Sequence, residues 1–289
     1  MKIALCYSGR PRHYQDCLQN HKDFFGLGNE NVDVFAHIWF DEDLIGSPFR
    51  SDNPGQGSWP GFELQEWVEK NWKPKKVIYE KQKDEYFRQL YSDVWNISHE
   101  KLNPIPAVHP KDHQLSMFYG IKKVMEMKKQ YEDENKFKYD YVFRIRTDFV
   151  MVANFGDIKN YDKEKLHVSF YDPTALVNQY LPGTWVQDLN IDAHYIVDIF
   201  AFGGSDCMDK YAKVYDNIPY MIQSGYPMHS SDVLIGYNTF VIENIPVKRH
   251  SSWAYKIYPN TEVYYEGSHH HNLGGYGIPN WNGKYYNDY

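Results

Sequence analysis

Two arginines and an aspartate alternate in the run KYDYVFRIRTDFV, residues 138–150. Alternate residues of a strand share a face, so Arg144, Arg146 and Asp148 project together while Tyr141, Phe143 and Ile145 point the other way. Aromatic and β-branched residues dominate the run, which reads as a buried strand ending in a turn that carries Asp148. Ligands of open α/β sheets collect outside the carboxyl ends of the strands. Two guanidiniums beside one carboxylate at such a place suit a metal-bound phosphate, with Asp148 holding the cation and arginine the phosphate oxygens. An internal Arg–Asp ion pair closing a loop uses the same residues, and the segment alone leaves both readings open.

A second cationic group lies near residue 10. Ser8-Gly9-Arg10-Pro11-Arg12 follows a short apolar run and so forms the turn from a strand into a helix. Glycine there permits close backbone approach to a ligand, the next helix N-terminus attracts anions, and Arg10 and Arg12 add donors. An ordinary strand–helix turn with solvated arginines looks the same in sequence. Neither Gly-x-x-x-x-Gly-Lys-Ser/Thr nor Gly-x-Gly-x-x-Gly occurs, which argues against a P-loop nucleotidase or a nicotinamide enzyme. His37 and Trp39 share a face at the end of another apolar run, where Trp39 either stacks on a base or sugar or belongs to the core.

Two further carboxylates could do acid–base work. Asp198 lies within IVDIFAFGG, where a carboxylate needs a partner or a role. It binds a hydroxyl-rich substrate or caps a loop, and the adjoining Gly203-Gly204 would let a ligand lie against the backbone. Asp232 follows Ser230-Ser231 at a helix start, where the dipole favours an acid and serine a cap. If that helix end faces a cleft, Asp232 could instead accept the proton of an attacking hydroxyl. His269-His270-His271 are consecutive and diverge in direction, so at most one of them, or His250, would complete a metal site built on Asp148.

These groups need elements that bring strand ends together. Apolar patterning predicts a strand over 2–7, a helix over 14–25 and a strand over 32–39, closing a βαβ unit. A Gly-, Pro-, Ser- and Asp-rich loop follows over 41–61, then a helix over 62–71, a strand over 76–79 and a helix over 86–94. Residues 111–131 form the clearest helix, with Leu115, Phe118, Ile121, Val124 and Met125 as its apolar stripe. This alternation predicts a mostly parallel sheet flanked by helices. Beyond Asp148, strands are expected over 166–170 and 195–202 around a loop-rich insert, with helices over 205–216 and 231–244 and irregular chain after Val247.

The chain has 289 residues, a net charge of −7 and no basic run, which argues against a nucleic-acid partner. Cys6, Cys17 and Cys207 lack metal-ligand spacing and form no disulfide framework, as in a reducing compartment. No signal-like start or apolar stretch of membrane-spanning length is evident, so a cytoplasmic protein without a transmembrane segment is expected. Tyrosine and tryptophan are abundant, 26 and 8, which fits sugar-binding faces and equally fits composition drift.

Taken together, Ser8-Gly9-Arg10 with Arg12, the strand DVFAHIW at 33–39 and YDYVFRIRTD at 139–148 resemble GT-A-type glycosyltransferases of bacterial and viral surface-polysaccharide synthesis. The resemblance implies a Rossmann-type α/β domain over 1–289, with a nucleotide-sugar half over 1–150, an acceptor half over 151–289 and a loop-rich C-terminal part. It implies transfer of a sugar from a nucleoside-diphosphate donor to a carbohydrate acceptor, assisted by Mn²⁺ or Mg²⁺. Asp148 matches the last Asp of an Asp-x-Asp metal motif and is the expected metal ligand; Arg146 stands where the first Asp would be. Ser8, Gly9, Arg10, Arg12, Trp39, Arg144, Arg146 and Gly203 are the expected donor contacts. Asp232 is the expected base and Asp198 the second candidate. The alternatives are a non-catalytic carbohydrate- or nucleotide-binding module, and a glycoside hydrolase using Asp198 and Asp232.

Overall fold

A computed structural model describes residues 1–49, 57–90, 111–151, 156–169, 196–224, 231–250 and 255–257. The loop-rich insert, His269-His270-His271 and most of the C-terminal tail lie outside them. The strands are β1 (Ile3–Gly9), β2 (Val32–Trp39), β3 (Lys76–Glu80), β4 (Tyr141–Ile145), β5 (Phe149–Met151), β6 (Leu166–Ser169), β7 (Phe200–Gly203), β8 (Val247–His250) and β9 (Tyr255–Ile257). The helices are α1 (Leu18–Phe25), α2 (Glu63–Asn71), α3 (Asp84–Gln89), α4 (Lys111–Asn135), α5 (Ser205–Tyr211), α6 (Val214–Gln223) and α7 (Ser231–Tyr237).

Seven strands hydrogen-bond in the order β3-β2-β1-β4-β7-β6-β8. Neighbours run parallel except β7, which is antiparallel to both β4 and β6. The fold is therefore α/β, a mostly parallel central sheet flanked by helices, with strands from both halves of the chain. β5 and β9 form a separate antiparallel pair. Val247–His250 was expected to be irregular; it pairs with β6 because Leu166 and Val168 offer a buried edge.

The pleat sorts the core into two layers. Leu5, Tyr7, Tyr141, Phe143 and Ile145 pack with Phe25, Leu64 and Val68 on one face. Ala4, Cys6, Phe35 and Val142 meet Leu115, Phe118, Ile121 and Val124 of α4 on the other. The α4 stripe is as read, and the helix runs four residues past 131, to Asn135. The single helix expected over 205–216 is two, α5 and α6, broken after Tyr211, and Pro219 lies inside the second. α7 passes directly into a π-helix at Asn238–Ile242. No helix among the described residues is long and apolar enough to cross a membrane.

Two buried polar networks fasten the layers. Lys128 of α4, fully buried, reaches Glu132 Oε2 at 3.0 Å, Ser205 Oγ at 2.6 Å and Asp209 Oδ1 at 2.6 Å. Glu132 also accepts from the Tyr139 backbone N–H at 2.7 Å and from Ser205 Oγ at 2.9 Å. On the opposite face, α1 grips β5. Asn20 exchanges hydrogen bonds of 2.7 and 3.0 Å with the Met151 backbone, and His21 Nε2 lies 2.8 Å from the Phe149 carbonyl. Burial holds the His21 imidazole down at about 4, so the ring is neutral and its Nδ1 takes the Tyr7 hydroxyl at 3.0 Å.

Candidate active site

The carboxyl ends of β1 to β4 converge on one recess. Its wall comprises Ser8, Gly9, Arg10 and Arg12 after β1, Trp39 at the end of β2, Gln82 after β3, Arg144 of β4 and the turn Arg146-Thr147-Asp148 that follows it. His113, Ser116 and Met117 from the first turns of α4 close the remaining side. The recess measures about 150 Å³. That is below the roughly 300–1,000 Å³ of a complete small-molecule site, so the described residues frame a subsite.

Local sequence explains the convergence. Gly9 has φ +123°, which L side chains rarely adopt, and a Cβ there would meet nothing within 4 Å, so the turn is held open to a ligand. A Cβ on Gly120 would meet His37 Nδ1 at 3.3 Å and Ser8 Cβ at 3.6 Å, so glycine lets α4 lie close over the ends of β1 and β2. Thr147, 2% exposed, places its hydroxyl 2.9 Å from the Arg10 carbonyl and 3.0 Å from that of Arg12, tying the two arginine-bearing turns together.

Four arginines face one aspartate in this wall. Arg146 meets Asp148 fork to fork, Nε to Oδ1 at 2.8 Å and Nη2 to Oδ2 at 2.7 Å. The Asp148 side chain is 4% exposed and that of Arg146 26%, so the guanidinium stands between the carboxylate and the open side. Arg10 donates to Gln82 Oε1 and the Phe49 carbonyl, each at 2.9 Å, and lies over the Trp59 ring. Arg144 is wholly buried. Burial opposes its charge, while Tyr211 and Asp198 support it. Its Nη1 donates to the Asp198 carbonyl, and its Nε, like Ser8 Oγ, has no hydrogen-bond partner among the described residues.

The expected site residues separate into those in the recess and those behind it. Ser8, Gly9, Arg10, Arg12, Arg144, Arg146 and Asp148 come together as read. Trp39 is present too, yet only 1% exposed: it stacks on Tyr119 at 5.8 Å with Phe87 and His37 at its edges. It is a wall, with its faces already covered, and not a stacking platform. The His37 hydrogen bond, at 2.9 Å, is the main cause holding Glu80 down at about 2.

Asp198 and Asp232 do not line the recess. Asp232 Oδ1 accepts from the Asp198 backbone N–H at 2.8 Å, and the Ser231 hydroxyl donates to the Asp198 carboxylate. Asp198 precedes β7 in a turn, outside the strand expected over 195–202, and its carbonyl holds Arg144. Gly203 is displaced further. Because β7 runs antiparallel, Gly203 pairs with Val142 and Phe200 with Ile145, which puts Gly203 toward the opposite edge of the sheet. A Cβ on Gly203 would meet the Lys165 carbonyl at 2.8 Å and Cys207 Sγ at 3.0 Å, so this glycine serves strand–helix packing. His250 Nε2 lies 2.9 Å from His167 Nδ1 on β6.

Asp148, the expected ligand of Mn²⁺ or Mg²⁺, is engaged by a guanidinium. Both of its oxygens are taken by Arg146, and no group of three His, Cys, Asp or Glu arranged to hold an ion occurs among the described residues. A cation there would share its ligand with a guanidinium of like charge.

Thr147, Gln82, His113, Ser116 and Met117 were not foreseen. A signal existed for the α4 residues: a helix feeding a parallel strand must begin at the sheet's carboxyl edge.

No protein-family model matches the chain, and no curated protein matches it. Among solved structures, core-mannan synthase A from Aspergillus fumigatus, in a Mn/GDP form, is 13% identical with TM-score 0.47, covering 90% of this chain and 75% of that one. A galactosyltransferase, LgtC, in complex with donor and acceptor sugar analogues, is 12% identical with TM-score 0.45, covering 87% and 74%.

Proposed function

We propose that this chain is a glycosyltransferase that moves a sugar from a nucleoside-diphosphate donor to a carbohydrate acceptor. One observation carries the reading: four arginines, the N-terminal turns of a 25-residue helix and an open glycine turn surround a recess at the carboxyl edge of the sheet. Such a place holds a multiply charged phosphate ligand. The sequence resemblance supplies the reaction. The bond from the anomeric carbon to the diphosphate oxygen breaks, its electron pair leaving on the diphosphate. An acceptor oxygen bonds to that carbon and its proton passes to water. Arg10, Arg12, Arg144 and Arg146 stabilise the charge that builds on the leaving oxygen.

Asp232 fixes the Asp198 backbone, whose carbonyl accepts from Arg144 behind the recess. Among the described residues the recess contains one carboxylate, already paired, whereas glycoside hydrolysis needs two flanking one bond. The test is to follow nucleoside diphosphate released from a panel of nucleotide sugars, with and without carbohydrate acceptors. Acceptor-dependent release is expected; no release from any donor sinks the proposal.

A further inference from the structure

We infer that Arg146 stands in for a divalent cation, so that this recess binds a diphosphate without metal. The inference rests on the transferase reading and concerns how its leaving group is held.

Three observations converge. First, the Arg146 guanidinium engages both oxygens of the Asp148 carboxylate, through two hydrogen bonds of 2.8 and 2.7 Å. A planar guanidinium has five N–H groups, enough to engage a carboxylate and a phosphate at once. Second, Asp148 is sealed from solvent at 4% exposure while Arg146 reaches the recess, so anything entering meets the guanidinium first. Third, two buried polar groups in the same wall lack partners among the described residues. Ser8 Oγ can donate to a phosphate oxygen, and Arg144 Nε, at 0% exposure, brings a second cationic donor. The first turns of α4 add the positive end of a long dipole.

A divalent ion on a pair of carboxylates would bring two positive charges to a diphosphate. Here an arginine replaces one of those carboxylates, so the wall carries its positive charge covalently. The remaining aspartate fixes the direction of the guanidinium. Such a clamp needs no ion to assemble.

The probe is inorganic pyrophosphate, titrated calorimetrically into the full chain in EDTA and again with excess Mn²⁺. Wild-type affinity should agree between the two within about threefold. Arg146→Asp, which rebuilds an Asp-x-Asp pair, should bind at least about tenfold more weakly in EDTA and recover in Mn²⁺. Should Arg146→Asp fail to fold, Arg146→Lys keeps the charge without the fork: it should bind more weakly than wild type and remain indifferent to metal. Wild-type binding that vanishes in EDTA and returns with Mn²⁺ overturns the inference while leaving the transferase reading intact. No pyrophosphate binding in either condition overturns both. Binding without sugar transfer from any donor removes the transferase and keeps the metal-free anion site.

Discussion

Two clusters of buried charge lie at opposite edges of the sheet, and they are built on different terms. Around Lys128, one ammonium meets two carboxylates and a hydroxyl, and the Glu132 carboxylate also takes two further donors. Around the recess, four arginines and one aspartate line the wall among the described residues, and buried donors on Ser8 and Arg144 lack protein partners among them. The first cluster is closed electrostatically and fastens α4 to α5. The second leaves two buried donors, Ser8 Oγ and Arg144 Nε, without partners among the described residues beside a cavity. Burying a donor is costly unless it is bonded, so the two unanswered donors point to an acceptor that arrives from outside. Compensation, and not burial alone, separates a structural polar network from a binding site.

The largest effect should come from breaking the closed cluster. Glu132→Ala leaves Lys128 buried with less compensation, and stability should fall by about 3–5 kcal/mol in urea unfolding. A change under about 1 kcal/mol would mean that the network is not what holds α4 to α5. The open cluster should respond in the opposite sense. Arg144→Met removes an incompletely paired charge, so unfolding free energy should stay within about 1 kcal/mol or rise, while pyrophosphate affinity drops about tenfold or more. If that variant unfolds yet still binds, the two clusters are of one kind. Smallest, Thr147→Val deletes the hydroxyl between the arginine turns and should cost about 1 kcal/mol of stability. Its pyrophosphate affinity should weaken severalfold; unchanged affinity would show that the turns hold position without it.

Much of this comparison was legible in the sequence, and the reasons are local. β2 was read to its observed bounds, Val32–Trp39, because one face is wholly apolar and the other carries Phe35 and Trp39, and the α4 stripe because four of its members are fully buried. The Ser8–Arg12 and Arg144–Asp148 groups could be placed together since both follow buried strands in a parallel arrangement. Direction was not legible. Nothing in IVDIFAFGG reveals that β7 runs against β4, and that reversal carries Gly203 away from the recess. Pairing was not legible either. Alternation put Arg144, Arg146 and Asp148 on one side, but only the turn after Ile145 decides that Arg146 grips Asp148 while Arg144 turns to the Asp198 carbonyl. Thr147 faced the same limit, since its partners are backbone carbonyls more than 130 residues away.

That last separation governs how the molecule comes into being. β1 pairs with β4 across 138 residues, and its two strand-end turns are joined by a hydroxyl spanning nearly the same distance. Closing so long a loop must precede any reward from the contacts it makes, so folding is slowed by topology. On the ribosome, β1 can meet β2 early, but the arginine wall cannot exist until residue 148 has emerged and docked. Ligand affinity therefore cannot precede the closing of that loop, and an assay of anion binding would report only molecules in which it has closed.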